Sequence, residues 1–97
     1  MKKSKTVKFL GEECSIEVAK YGNGRTAILL QCQNGEPMAT ATINLPDESL
    51  KKGEAFIKDY SENEGMLEAL REAGIVTEVL GYVSSGFVRI PKCKITL

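Results

Sequence analysis

Histidine and tryptophan are absent from this chain of 97 residues, and its aromatic side chains are three phenylalanines and three tyrosines. Without histidine the usual general base, the commonest metal ligand and the neutral-pH switch are all missing. Most catalytic constellations need that residue or a metal cluster, so no enzyme is expected. With so few aromatics, the core must be built mainly from aliphatic side chains. Charge of one sign is also lacking, since 13 Lys and Arg balance 13 Asp and Glu. That balance excludes a simple basic nucleic-acid binder, and a hydrophobic content of 42% excludes a disordered chain. No apolar run approaches the roughly 18–20 residues of a membrane helix. Met1-Lys2-Lys3 is followed by polar residues rather than an apolar leader. Cys14, Cys32 and Cys93 are odd in number and include no Cys-x-x-Cys, so neither a disulfide scaffold nor a zinc site is indicated. A cytoplasmic protein with reduced thiols, no metal and no cofactor is the expectation.

The length suits one domain over residues 1–97, with the lysine-rich start, residues 1–5, as a loose end. The first half reads as a meander of four antiparallel strands. Asn34-Gly35 is a hairpin signal; as a two-residue loop it sets Thr26 against Ile43, Ile28 against Ala41 and Leu30 against Ala39. At Gly22-Asn23-Gly24 a two-residue loop would mix the faces. A three-residue loop instead sets Val18 against Ile28, Ile16 against Leu30 and Cys14 against Cys32. Gly11-Glu12 suits a turn that opposes Phe9 to Cys14 and Val7 to Ile16. Together the turns give one apolar face: Val7, Phe9, Cys14, Ile16, Val18, Ile28, Leu30, Cys32, Ala39, Ala41 and Ile43.

After Leu45-Pro46 comes a polar connector, then a brief strand at Ala55-Phe56-Ile57. Asp59 to Glu64 opens a helix of about three turns, with capping-box spacing at both Ser61/Glu64 and Asp59/Glu62. Met66, Leu67, Leu70 and Ala73 recur at helical spacing, and Gly74-Ile75 fits a left-handed cap with its hydrophobic contact. The helix must pack on the apolar sheet face, where Ala39 and Ala41 leave room. Two further strands flank Ser84-Ser85-Gly86, and Pro91 makes the last one an edge strand or a bulged one. The fold class is therefore α+β: an antiparallel sheet of about five or six strands with one helix on its apolar face.

Six carboxylates stand against one arginine between residues 59 and 80. Acidic residues near a helix N-terminus complement its dipole by about 0.3–1 kcal/mol each, which accounts for part of this. Glu64, Glu68 and Glu72 at i,i+4 repel one another, however, and local stability does not favour that. Asp59, Glu62, Glu64 and Glu68, with Tyr60 as an aromatic anchor, are thus candidates to meet a basic protein partner. Residues 81–97 carry three basic residues and no acid, and residues 1–33 six against three. With Tyr21, Tyr82 and Phe87 as stacking surfaces, those segments suit a small single-stranded nucleic-acid binder as the alternative. Gly22-Asn23-Gly24-Arg25 lacks the strand–loop–helix setting and the Lys-Ser/Thr of a phosphate loop.

The run from Ile57 through Asp59-Tyr60-Ser61-Glu62-Asn63-Glu64-Gly65 to Leu67, with Gly74-Ile75-Val76, Gly86-Phe87-Val88 and Pro91-Lys92-Cys93, resembles a family of small uncharacterised proteins. Gly35-Glu36-Pro37-Met38-Ala39 and Ile43-Asn44-Leu45-Pro46 resemble the same family, over about residues 20–95. The resemblance implies a domain of unknown function carried by bacterial mobile elements: phages, plasmids and conjugative islands. In that setting the expected role is a non-catalytic protein-interaction module, in its sharpest form an inhibitor of a host defence system such as an anti-CRISPR protein.

Overall fold

The computed structural model describes residues 6–97, so the expected loose start at residues 1–5 lies outside the described residues. The first four strands are β1 (Thr6–Phe9), β2 (Glu12–Lys20), β3 (Thr26–Gln31) and β4 (Pro37–Thr40), in that spatial order and all antiparallel. The β2–β3 register is the one the face pattern requires, with Ile16 opposite Leu30 and Val18 opposite Ile28. Two turns differ in detail. The first hairpin turns on Leu10-Gly11, both at positive φ (53° and 79°), so Val7 faces Cys14. That shifts the pairing by two residues and leaves the faces intact. The turn after β3 is a three-residue loop closed by Cys32 N–H to Glu36 O at 2.8 Å, and a bulge beside Leu30 restores the expected Leu30–Ala39 pair.

The single sheet of five or six strands is replaced by two sheets of four. The second contains β5 (Thr42–Ile43), β6 (Glu54–Ile57), β7 (Val76–Ser85) and β8 (Val88–Ile95), in the order β5-β6-β8-β7. The chain changes sheets at Ala41. Its N–H donates to Ile28 O and its carbonyl accepts from Lys58 N–H, both at 2.8 Å, so one residue is bonded into both halves. Ile43 therefore pairs with Phe56 rather than Thr26. The buried Thr42 hydroxyl fills the vacated place, accepting from Ile28 N–H at 3.2 Å and sharing a hydrogen bond with Tyr21 Oη at 2.9 Å.

Both sheets and the helix α1 (Met66–Glu72) share one core, which includes Val7, Phe9, Cys14, Ile28 and Leu30 from the first sheet. Ala55, Ile57, Val76 and Cys93 come from the second, and Met66, Ala69 and Leu70 from α1. Helix α1 contacts β1 and β7. Val18 is 50% exposed despite its place on the apolar face, whereas Ile28 opposite it is buried in this core. The last hairpin turns on Gly86-Phe87, between Ser85 and Val88. Strand β8 is interior, and the bulges fall on β7, between Val76 and Glu78 and between Val79 and Gly81. Pro91 is tolerated because β6 pairs only with Lys92 to Lys94, which leaves Pro91 a strand on one side alone.

Candidate functional site

The acidic segment is not one helix. Ser61–Asn63 form a 3-10 turn, Glu64 is non-helical (φ −55°, ψ 129°), and Gly65 stands at the helix N-cap with φ 96°. An L side chain disfavours that backbone state, so the break is set by glycine at this position. Helix α1 then runs seven residues, two turns rather than three. Neither capping box forms. Gly65 has no side chain to offer its helix, and Asp59 substitutes for it. Asp59 Oδ1 accepts from Gly65 N–H at 3.1 Å and from Leu67 N–H at 2.9 Å. At the other end the expected cap is present. Gly74 takes φ 78°, Gly74 N–H donates to Arg71 O and Ile75 N–H to Leu70 O, and Ile75 is fully buried.

The five candidate residues therefore divide. Asp59 is occupied as a cap. Glu62 pairs with Lys58 at 2.6 Å, an exposed i,i+4 contact that holds its carboxyl below the usual range, chiefly through the hydrogen bond, and raises the lysine. Tyr60 is half-buried, with Lys58 Nζ 5.6 Å from its ring centroid. Asn63 is buried and donates to Thr40 O at 2.7 Å, which pins the 3-10 turn to the end of β4. Glu64 and Glu68 remain exposed, and with Glu64 outside the helix only Glu68 and Glu72 keep the i,i+4 repulsion.

Glu64, Glu68 and Glu72 converge on a groove between α1 and the β1–β2 hairpin. One hollow of about 560 Å³ is lined by Thr6, Lys8, Glu13, Ala69 and Glu72 among others. An adjoining one of about 300 Å³ is lined by Lys8, Leu10, Glu64, Glu68 and Glu72 among others. Four carboxylates thus face Lys8 alone. Lys8 lies opposite Glu13 in the strand register, and Lys58–Glu62 is the one ion pair among the described residues, so Glu64, Glu68 and Glu72 are left without an ion-pair partner there. Glu13 and Lys8 escaped the reading of the sequence. They lie more than fifty positions from the helix, and no local pattern signals that β1 runs beside it.

The second candidate surface is less uniform than its composition. Tyr21 is tied to Thr42, and Lys94 lies opposite both Glu54 and Glu78 in the strand register. At the β7–β8 end, Phe87 is fully exposed and the Arg89 guanidinium lies 4.8 Å from the Tyr82 ring centroid. Asp47 and Glu48 line a hollow there with Ser84 and Ser85. Among the described residues no group of three or more His, Cys, Asp or Glu could hold a metal ion, and no helix is long and apolar enough to cross a membrane. All three cysteines are free, and burial pushes the Cys93 thiol up to about 11.

No curated protein and no solved structure matches the chain. A protein-family match extends from residue 15 to residue 97, taking in every element from the body of β2 onward, including the acidic groove's helix but not β1, so Lys8 and Glu13 on the groove's other wall lie outside it. The chain belongs to the family described as Domain of unknown function (DUF4313).

Proposed function

We propose that the protein is a non-catalytic interaction module whose groove between α1 and β1 receives a basic segment of a protein partner. The supporting observation is the gathering of Glu64, Glu68 and Glu72, none with an ion-pair partner, around one groove whose other wall holds Glu13 opposite Lys8. Like charges held together cost stability within the fold, and a cationic partner relieves that cost on binding. Leu10, 66% exposed on the groove's rim, offers apolar contact. In the setting of a mobile element, the sharpest form of this reading is inhibition of a host defence nuclease. The nucleic-acid cleft of such an enzyme is a basic surface of the required kind. The place of action is the cytoplasm.

The test begins with affinity purification from host cells to identify a partner. Glu64, Glu68 and Glu72 are then replaced together by Gln, and binding of that partner is measured at low and moderate salt. Association should slow and the salt dependence should flatten, with the melting temperature kept or raised. Unchanged affinity and salt slope would leave the groove as solvated surface and remove the proposal's support.

A second reading, a small single-stranded nucleic-acid binder, rests on the Tyr82–Arg89 stack and the exposed Phe87. Base–aromatic stacking is worth about 1–3 kcal/mol per base. Fluorescence anisotropy with an oligothymidine separates the two readings. Binding that is lost in Phe87→Ser favours nucleic acid, and no binding at low salt eliminates it.

A further inference from the structure

Strands β2 and β3 bring two cysteines together in a defined way. Tyr21 N–H donates to Arg25 O at 2.8 Å, so that pair is hydrogen-bonded. In an antiparallel ladder hydrogen-bonded and non-hydrogen-bonded pairs alternate. Counting along the register from Lys20–Thr26 to Ser15–Gln31 makes Ser15–Gln31 a bonded pair and sets Cys14 opposite Cys32 in the next, non-bonded place. An independent observation agrees, because Cys32 N–H points away from β2 and donates to Glu36 O at 2.8 Å. Non-bonded partners bring their Cα atoms to about 4.5 Å, with side chains on the same face. That lies within the range of about 4.4–6.8 Å that a disulfide spans. Burial, then the Cys32 charge, then that of Glu12, raises the Cys14 thiol above its ordinary range.

The two sulfurs differ in access. Cys32 is half-exposed, whereas Cys14 is fully buried, with its S–H directed at Met38 Sδ at 3.2 Å. We propose that Cys14 and Cys32 form a reversible dithiol–disulfide site across β2 and β3, oxidised by low-molecular-weight disulfides such as oxidised glutathione. The Cys32 thiolate attacks one sulfur of the glutathione disulfide. That S–S bond breaks, and one glutathione leaves as a thiolate that takes a proton from solvent. Cys14 then loses its proton and attacks Cys32 Sγ, expelling the second glutathione. Overall two protein thiols are oxidised by two electrons, one disulfide is reduced to two thiols, and two protons pass through solvent from protein to glutathione. Cys32 is the entry point because it is accessible, and Cys14 resolves the mixed disulfide because it is shielded from further reagent.

The experiment incubates the reduced, folded full-length protein with oxidised glutathione, quenches with acid, and reads intact mass and linked peptides. The expected product is lighter by two hydrogens, carries a Cys14–Cys32 link, retains one of its three thiols, and reverts with dithiothreitol. Cys93→Ser should give the same link, and Cys14→Ser should stop at a glutathione adduct on Cys32. A persistent Cys32 adduct in the unaltered protein, a link through Cys93, or no reaction would each overturn the proposal. Because the readout on the unaltered protein is decisive by itself, poor folding of a variant does not shield the proposal.

Discussion

Replacing Asp59 separates its structural duty from a role in binding. Its Oδ1 accepts two backbone N–H groups, from Gly65 at 3.1 Å and Leu67 at 2.9 Å, at a helix whose N-cap residue is glycine. Loss of an N-cap acceptor costs about 0.5–2 kcal/mol. Loss of a carboxylate at a helix N-terminus costs about 0.3–1 kcal/mol. Asp59→Ala loses both and should cost about 1–3 kcal/mol. Asp59→Asn keeps an oxygen acceptor and loses the charge, and should cost about 0.3–1 kcal/mol. A seven-residue helix has little stability of its own, so the loss should pass into the cooperative unfolding of the core that Met66, Ala69 and Leu70 help build. Urea melts monitored by far-ultraviolet circular dichroism give both values, with an unchanged slope confirming that the same unfolding is compared. Equal losses for Ala and Asn would show that the hydrogen bonds do not matter. An Asp59→Ala loss below about 0.3 kcal/mol would refute the capping role.

Two further predictions follow from burial. Leu70→Ala should cost about 2–5 kcal/mol, as a large-to-small change at a fully buried position, and Glu68→Ala on the exposed face less than about 0.5 kcal/mol; similar losses in denaturant melts would mean the helix presents the other face to the core. For Cys93, burial raises the folded-state thiol from an ordinary 9.0 to about 11. The unfolded chain therefore releases this proton first, and stability present below pH 9 should be lost as pH rises to about 11. At 1.36 kcal/mol per unit, the effect is on the order of 2–3 kcal/mol; Cys93→Ala should flatten the stability profile over that window relative to the unaltered protein, and parallel profiles would refute the assignment.

Much of the local structure was determined by the sequence itself. The β2–β3 register was legible because a slip of one residue would expose Ile16, Ile28 and Leu30 together. The Gly74-Ile75 cap was legible because few residues besides glycine accept its backbone angles. The helix start was not legible. Ser61, Asp59, Glu62 and Glu64 fit two capping boxes, and only the packed chain decides that Gly65 breaks the run and Asp59 reaches across it. The division into two sheets was hidden for a similar reason. Alternation along residues 37–43 reads as one strand, whereas Ala41 bonds to Ile28 on one side and Lys58 on the other. That choice depends on partners distant in sequence. The same holds for the groove. Glu64 and Glu68 are visible as charges, but their meeting with Glu13 and Lys8 comes from the packing of α1 beside β1. Backbone preference and side-chain alternation act between neighbours and can be read from neighbours. Sheet membership and surface charge clusters are settled by burial of the whole chain in one core, and only the tertiary structure decides them.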